Sequence, residues 1–274
     1  MVKVALDQAR SGIDLSSNRR ALVTAIESAA ASGAAMLFTP EMSGLVDADR
    51  ERARRSVAAE ENDATLAAVC EAARSHGIWV SLGSLALLAD DGRFANRGFI
   101  IDAQGEIRGR YDKIHLFDVN LPTGERWRES AAYRPGAAVT VVPDTPVGTL
   151  GMTICYDLRF PALFARLAEA GAETIIVPSA FTVPTGLAHW HVLLRARAIE
   201  AGLFVIAAAQ GGAHEDGRST FGHSLVVDPW GEVLLDMGEG GEPRLGFADI
   251  DLARIAEVRS RVPALSHRRV IPAI

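Results

Sequence analysis

Cysteine is nearly absent from this chain: Cys70 and Cys155 are the only two among 274 residues. Two thiols cannot build a disulfide framework, which argues against a small secreted scaffold and for a reducing, cytoplasmic setting. Long apolar runs are lacking as well. None approaches the roughly 20 residues needed to cross a bilayer, and the start, Met1 to Asp7, meets charge too soon for a signal peptide. A positive excess is also missing, since 28 Lys and Arg stand against 34 Asp and Glu for a net charge of -6. Nucleic acid and membrane surfaces are therefore not expected partners. No Gly-x-Gly-x-x-Gly follows the first strand and no Walker pattern occurs, which leaves nucleotide binding without support. What is present, 49% hydrophobic and 23% charged residues, suits one globular domain over 1–274 with a substantial core.

The pattern along the chain is α/β. Val2 to Ala9 reads as a strand, followed by a helix capped by Ser16 or Ser17 and ending at Gly33. A buried strand spans Ala34 to Thr39. A helix capped near Asn62 or Asp63 stops at Gly77, and strands follow at about 78–88, 94–101 and 106–112. The second half repeats this order: strand 148–154, helix Pro161 to Ala170, strand Thr174 to Val177, helix 187–201, strand Leu203 to Ala209, and closing strands near 219–227, 232–236 and 244–250. Even Thr39-Pro40 and Val177-Pro178 fall at matching strand ends. Neither half has enough helix to cover both faces of its own sheet, so the expected fold is a four-layer αββα sandwich with internal pseudo-duplication. The long loop from Phe117 to Ala137 is expected to form an ordered pocket wall, and the tail from Val258 to lie along a surface or a neighbouring subunit.

Three strand ends carry chemistry. Ile154-Cys155-Tyr156-Asp157-Leu158-Arg159-Phe160-Pro161 places a thiol where a buried strand breaks into a turn before a helix, a rigid mount for a nucleophile. Cys70, at helical spacing from Leu66, Val69 and Ala73, reads as packing. Phe38-Thr39-Pro40-Glu41 offers a carboxylate whose partial burial would raise its pKa toward that of a useful base. Tyr111-Asp112-Lys113 offers an ammonium that, with the N–H of Tyr156, would face an oxyanion. Each group alone also has a plainer reading: a core thiol, a solvated glutamate, a surface Lys–Asp pair. His115, His189, His191, His214 and His223 raise a Cys–His pair or a metal as alternatives. His189-x-His191 lacks a second cysteine or a carboxylate at ligand spacing nearby, so no metal and no cofactor are expected.

Those three motifs, with Glu129-Ser130 in the long loop, resemble the nitrilase superfamily of carbon–nitrogen hydrolases over essentially the whole chain. The resemblance implies Glu41 as base, Lys113 as oxyanion stabiliser, Cys155 as nucleophile and Glu129 as a second glutamate positioning Lys113 and substrate. The runs Ser179 to Trp190 and Leu193 to Glu200 are similar to the paired amidases acting on deaminated glutathione and on ω-amides of keto acids. Ala207 to His214 and Phe221 to Ser224 are closer to the former, whereas Glu215 to Arg218 departs from both. It implies a small-molecule amide substrate, a thioester intermediate and a homodimer or higher oligomer stacked through the helices near Cys155 and Arg195 to Glu200. Tyr156, Arg159 and Thr185 are the candidate substrate-binding residues. For Arg159 the roles open are a two-pronged partner for a substrate carboxylate and a structural pairing with Asp157 or a neighbouring loop. A non-catalytic interaction protein on the same sandwich is the competing class.

Overall fold

A computed structural model describes residues 1–120, 124 and 126–272. The first half contains β1 (Val2–Gln8), α1 (Leu15–Ala31), β2 (Met36–Phe38), α2 (Arg50–Ser56), α3 (Ala64–His76), β3 (Trp79–Leu88), β4 (Phe94–Ile101) and β5 (Ile107–Asp112). A hairpin of β6 (Asp118–Asn120) and β7 (Arg126–Arg128) follows. The second half contains β8 (Val141–Thr145), β9 (Gly148–Met152), α4 (Pro161–Glu169), β10 (Thr174–Ile176), α5 (Val183–Ala201) and β11 (Phe204–Ala207). It closes with β12 (Gly211–Ala213), β13 (Ser219–Phe221), β14 (Leu225–Val227), β15 (Val233–Asp236), β16 (Arg244–Ile250) and α6 (Ala253–Arg261).

Two six-stranded sheets run in the orders β16-β1-β2-β3-β4-β5 and β15-β14-β11-β10-β9-β8. In each, three parallel strands are flanked by one antiparallel strand on one edge and two on the other. This is the expected duplication, and β2 and β10, the strands that run into Thr39-Pro40 and Val177-Pro178, occupy equivalent places. The alternation of strand side chains separates two cores. Ala5, Leu37, Val80, Leu82 and Phe99 face Leu22, Ile26, Leu66 and Val69 of α1 and α3. Val4, Leu6, Met36, Phe38 and Ile100 instead join Val142, Leu150 and Met152 of the second sheet, in a cluster that continues into α4 and α5. The layers are therefore helix, sheet, sheet, helix. Each buried Leu, Ile or Phe contributes about 1.5–3 kcal/mol relative to exposure. Gly109 permits the close approach of the sheets, since a Cβ there would lie 2.4 Å from Val142 Cγ2.

Several boundaries differ from the sequence reading. The cap of α1 is Asp14, whose carboxylate accepts from Ser17 N, so Ser16 and Ser17 lie inside the first turn. Asp63 caps α3 by accepting from Thr65 and Leu66 N–H at 2.9 and 2.7 Å, and Gly77, with φ 63°, ends it in the left-handed region. α2 gives no apolar stripe to read, because only Ala53 of Arg50–Ser56 is buried. α5 begins at Val183 rather than 187, with Pro184 in its first turn. The strand expected over 219–227 is two strands, interrupted where Gly222 and His223 take positive φ. The tail is partly α6. Beyond it, Arg268 pairs with Glu169 of α4 at 3.0 Å.

Candidate active site

The ends of the central strands of both sheets meet around one thiol. Cys155 follows β9 with φ 50°, a backbone conformation that a non-glycine residue adopts at a cost and that turns its side chain sharply out of the strand direction. Its N–H donates to Pro178 O at 2.9 Å, tying the end of β9 to the end of β10. The residues 155–159 form a short 3₁₀ turn, so the N–H of Tyr156 sits in a first turn with no intrahelical acceptor.

Asp157 anchors this turn to the other sheet. One carboxylate oxygen accepts from Ile154 N at 2.9 Å and from Tyr111 Oη at 2.8 Å; the other accepts from His115 N at 3.0 Å. Tyr111 and His115 flank Lys113 in the chain, so a single carboxylate fixes the thiol's turn relative to the ammonium. On the preceding strand, Arg97 forms a two-pronged pair with Asp112 at 2.6 and 2.9 Å. Strand alternation then sends their neighbours Asn96 and Lys113 to the opposite face, where Lys113 N donates to Asn96 O at 2.9 Å.

There the charged groups converge. Lys113 Nζ lies 2.8 Å from Glu41 Oε1 and 3.0 Å from Glu129 Oε2, with all three residues largely removed from solvent. Asn96 Nδ2 donates to Glu41 at 2.9 Å and to Glu129 at 3.3 Å. Ala180 N donates to the other Glu41 oxygen at 3.0 Å, and Phe117 N donates to Glu129 at 2.6 Å. Cys155 hydrogen-bonds to Glu41. The four residues expected to act together are thus in one cluster, and Asn96, Asp157 and the Ala180 N–H are partners that sequence reasoning missed. Asn96 did leave a signal: an amide in a strand flanked by Phe94, Ala95 and Phe99 to Ile101 requires a buried partner.

The electrostatics correct one expectation. Burial alone pushes the Glu41 carboxyl up, but the Lys113 ammonium and hydrogen bonds from Cys155, Lys113 and Asn96 outweigh it, holding Glu41 below the usual carboxylate range rather than above it. Burial works against the Lys113 charge too, and Glu129 and Glu41 overcome it, raising its pKa. The Cys155 thiol is pushed up by burial and by the neighbouring Glu41 charge. The resting cluster therefore sets a protonated Cys155 thiol beside an ionised Glu41 and a charged Lys113. It can move the thiol proton to Glu41 as Sγ bonds to an electrophilic carbon, while positive charge stands ready for the oxyanion.

A cavity of about 710 Å³ opens onto Cys155, Glu41, Lys113 and Glu129. Phe94, Phe117, Trp127, Tyr133, Tyr156 and Phe181 supply much of its apolar wall, so the long loop does form part of the pocket. Leu121 to Thr123 and Glu125 of that loop lie outside the described residues. Arg159 lines the cavity, stacks over the Tyr156 and Phe181 rings at 5.8 and 5.5 Å, and meets His189 Nδ1 at 3.2 Å. Asp157 is occupied elsewhere, so the structural pairing that Arg159 does make is with His189 of α5 rather than with Asp157. Thr185 also reaches the cavity, but its hydroxyl bonds locally to Thr182 at 2.8 Å. Cys70 is half-buried, packed beside the helix-facing core. His189 and His191 point to different partners, Arg159 and Asp236.

A family model for carbon–nitrogen hydrolases matches residues 3–260. The chain belongs to the carbon–nitrogen hydrolase family. It is 42% identical over 250 residues to a deaminated glutathione amidase of Yersinia enterocolitica, covering 89% of this chain and 85% of that protein. The nitrilase and fragile histidine triad fusion protein NitFhit of Caenorhabditis elegans is 41% identical over 275 residues, and this chain spans 97% of its own length but 60% of the fusion's. The crystal structure of that protein superposes with a TM-score of 0.87 at 38% identity, over 98% of this chain and 65% of that one. The E41Q mutant of an amidase from Nesterenkonia sp. AN1, a nitrilase-superfamily enzyme, superposes with a TM-score of 0.80 at 27% identity over 98% and 94% of the two chains, and carries the acetamide moiety of fluoroacetamide on its active-site cysteine. The carbon–nitrogen hydrolase fold and reaction class follow, and the Nesterenkonia amidase has a cysteine at its active site. No helix among the described residues is long and apolar enough to cross a membrane.

Proposed function

We propose that this carbon–nitrogen hydrolase cleaves a linear amide with carboxylates on both its acyl and amine parts, and that deaminated glutathione, yielding 2-oxoglutarate and cysteinylglycine, is that amide. The observation carrying the proposal is the cationic lining of the cavity. Arg50, Arg126, Arg128 and Arg159 all line it, yet among the described residues none has a carboxylate within ion-pair distance. Arg50 donates to Arg128 O at 2.8 Å, and Arg128 to Val119 O at 3.0 Å and Asn120 Oδ1 at 2.8 Å. Guanidinium groups held by neutral acceptors retain their charge for an anionic ligand. The names of relatives such as the Yersinia amidase point the same way.

Chemically, Cys155 Sγ bonds to the amide carbon as its proton passes to Glu41. The oxyanion faces Lys113 Nζ and the Tyr156 N–H. Glu41 then returns the proton to the departing nitrogen, the C–N bond breaks, and a thioester remains on Cys155. Glu41 next removes a proton from water, whose oxygen attacks the thioester; the released thiolate takes that proton and the acid leaves. Glu129 holds Lys113 in place, and Arg159 binds the acyl carboxylate.

Two free cysteines and a mechanism needing a reduced thiol support a cytoplasmic setting for the single catalytic domain of 1–274. Leu187, Val192 and Ile199 of α5, 71%, 69% and 51% exposed, with Trp230 at 51%, support a homodimer through this face, visible as a solution mass of twice 29.2 kDa or a multiple. The substrate is tested by comparing kcat/KM for deaminated glutathione, 2-oxoglutaramate and butyramide. Deaminated glutathione is expected to lead, with Arg159→Lys raising KM for the first two and sparing butyramide. Preference for 2-oxoglutaramate would make the protein an ω-amidase instead, and equal losses on all three would make Arg159 a scaffold residue.

A further inference from the structure

Away from the catalytic cavity, α5, the turn between β13 and β14, and the end of β15 bring together His191, His223 and Asp236. His191 Nε2 lies 2.9 Å from Asp236 Oδ2 and His223 Nδ1 2.8 Å from Asp236 Oδ1, and one ligating atom from each residue falls within 4.8 Å of the others. None of the three lines the catalytic cavity. We propose that this trio is a binding site for a divalent first-row transition ion, held by two imidazoles and one carboxylate with further positions open to water.

The donor set carries the inference. Two imidazole nitrogens and a carboxylate oxygen, with no thiolate, are the ligands that suit zinc, nickel, cobalt or iron(II). Around an ion with bonds of about 2.0–2.1 Å, neighbouring ligand atoms stand roughly 3.3 Å apart in a tetrahedral shell. Each imidazole nitrogen faces its own Asp236 oxygen, so to meet that spacing the 2.9 and 2.8 Å separations would widen by about 0.5 Å while the two nitrogens, within 4.8 Å of each other, close on the ion.

The shell behind the ligands is already built. His223 holds φ 54°, its N–H donates to Gly238 O at 2.7 Å, and its carbonyl accepts from the buried Trp190 Nε1 at 2.8 Å. Its ring stacks on Phe221 with centroids 4.4 Å apart. Gly238 N donates to Asp236 Oδ1 at 2.8 Å, orienting the carboxylate from outside. Side-chain exposures of 37% for His191, 31% for Asp236 and 17% for His223 leave an entry path. Occupancy would pin α5 to the β15 edge of the second sheet. On metallation each imidazole proton facing Asp236 moves to the ring's other nitrogen, so the neutral ligands keep their charge.

The test is calorimetric titration of the full chain with Ni²⁺, in a Cys155→Ala background that removes the catalytic thiol, and parallel cobalt titration read by visible absorption. One ion per chain is expected, with cobalt bands of nitrogen and oxygen ligation. His191→Ala, an exposed helix change, should weaken binding at least about tenfold. His223→Asn, which keeps a residue tolerant of positive φ, should do likewise, while His76→Ala should change nothing. No stoichiometric binding, or equal binding in His191→Ala and the parent, would overturn the proposal.

Discussion

The two halves of the chain build the same sheet and then use it differently. At the end of β2, Thr39-Pro40 leads to Glu41, a buried carboxylate; at the equivalent end of β10, Val177-Pro178 leads to Ser179, whose hydroxyl turns back to Val177 O, and then to Ala180, whose backbone N–H donates to that carboxylate. At the end of β9 stands Cys155, whereas past the end of β1 comes Ser11, whose hydroxyl donates to Ser43 O and accepts from Gln210 Nε2. Duplication thus accounts for the scaffold, and the chemistry lies where the copies diverged: charge from the first half, nucleophile and backbone donors from the second. The site exists only because the sheets are packed face to face, with Asp157 and Gln210 bonding from the second half into the first.

The comparison breaks most completely at the nucleophile. Cys155→Ala should lower kcat by roughly 10⁴-fold or more, the scale seen when a nucleophile is removed, with the far-UV spectrum unchanged. Removing the first half's charge should cost less. Glu41→Gln and Lys113→Met are each expected to slow acylation by about 10²- to 10³-fold in single-turnover assays. They should not be additive, because the two groups hold each other in place.

Next comes the scaffold beneath Glu41. A Cβ at Gly83 would fall 2.2 Å from Thr39 O and 2.4 Å from Pro40 O. Gly83→Ala should therefore destabilise by about 1–3 kcal/mol in urea unfolding, and lower activity by shifting Glu41. A smaller effect is expected from pH. Glu41 is held below the usual value of 4.5, so its contribution to stability is present above that value and is lost as pH falls through the lowered folded one. Lys113 is raised above 10.5, so its contribution is complete below that value and is lost as pH rises through the raised one. Activity should accordingly hold level between about pH 5 and 9, with the base already ionised. The smallest effect belongs to Cys70→Ala, which should keep full activity in the same assay, being part of a helix packed away from the site.

The scaffold was legible because its signals are local: strand runs, Asp63 and Gly77 at the ends of α3, Pro161 after the nucleophile turn. Glu41, Lys113 and Cys155 stood out because strand ends are where an α/β sandwich presents side chains, but their joint roles, and Glu129 altogether, came from the resemblance to the nitrilase superfamily. What escaped was long-range. Asn96 meets Glu41 across 55 residues, Asp157 meets Tyr111 across 46, and Ala180 meets Glu41 across 139. The direction of the Glu41 shift escaped for the same reason, since burial is suggested by the local run but the compensating hydrogen bonds come from three distant segments. The carboxylate missing beside His189-x-His191 is Asp236, 45 residues along.

Intact-protein mass spectrometry of the enzyme quenched during turnover of deaminated glutathione tests the central claim most directly, because the acyl thioester carries the whole division of labour between the halves. The account predicts a single adduct of the acyl group's mass, mapped to the peptide containing Cys155, and no adduct in Cys155→Ala. Turnover persisting in Cys155→Ala, or the acyl group mapped to another residue, would contradict it.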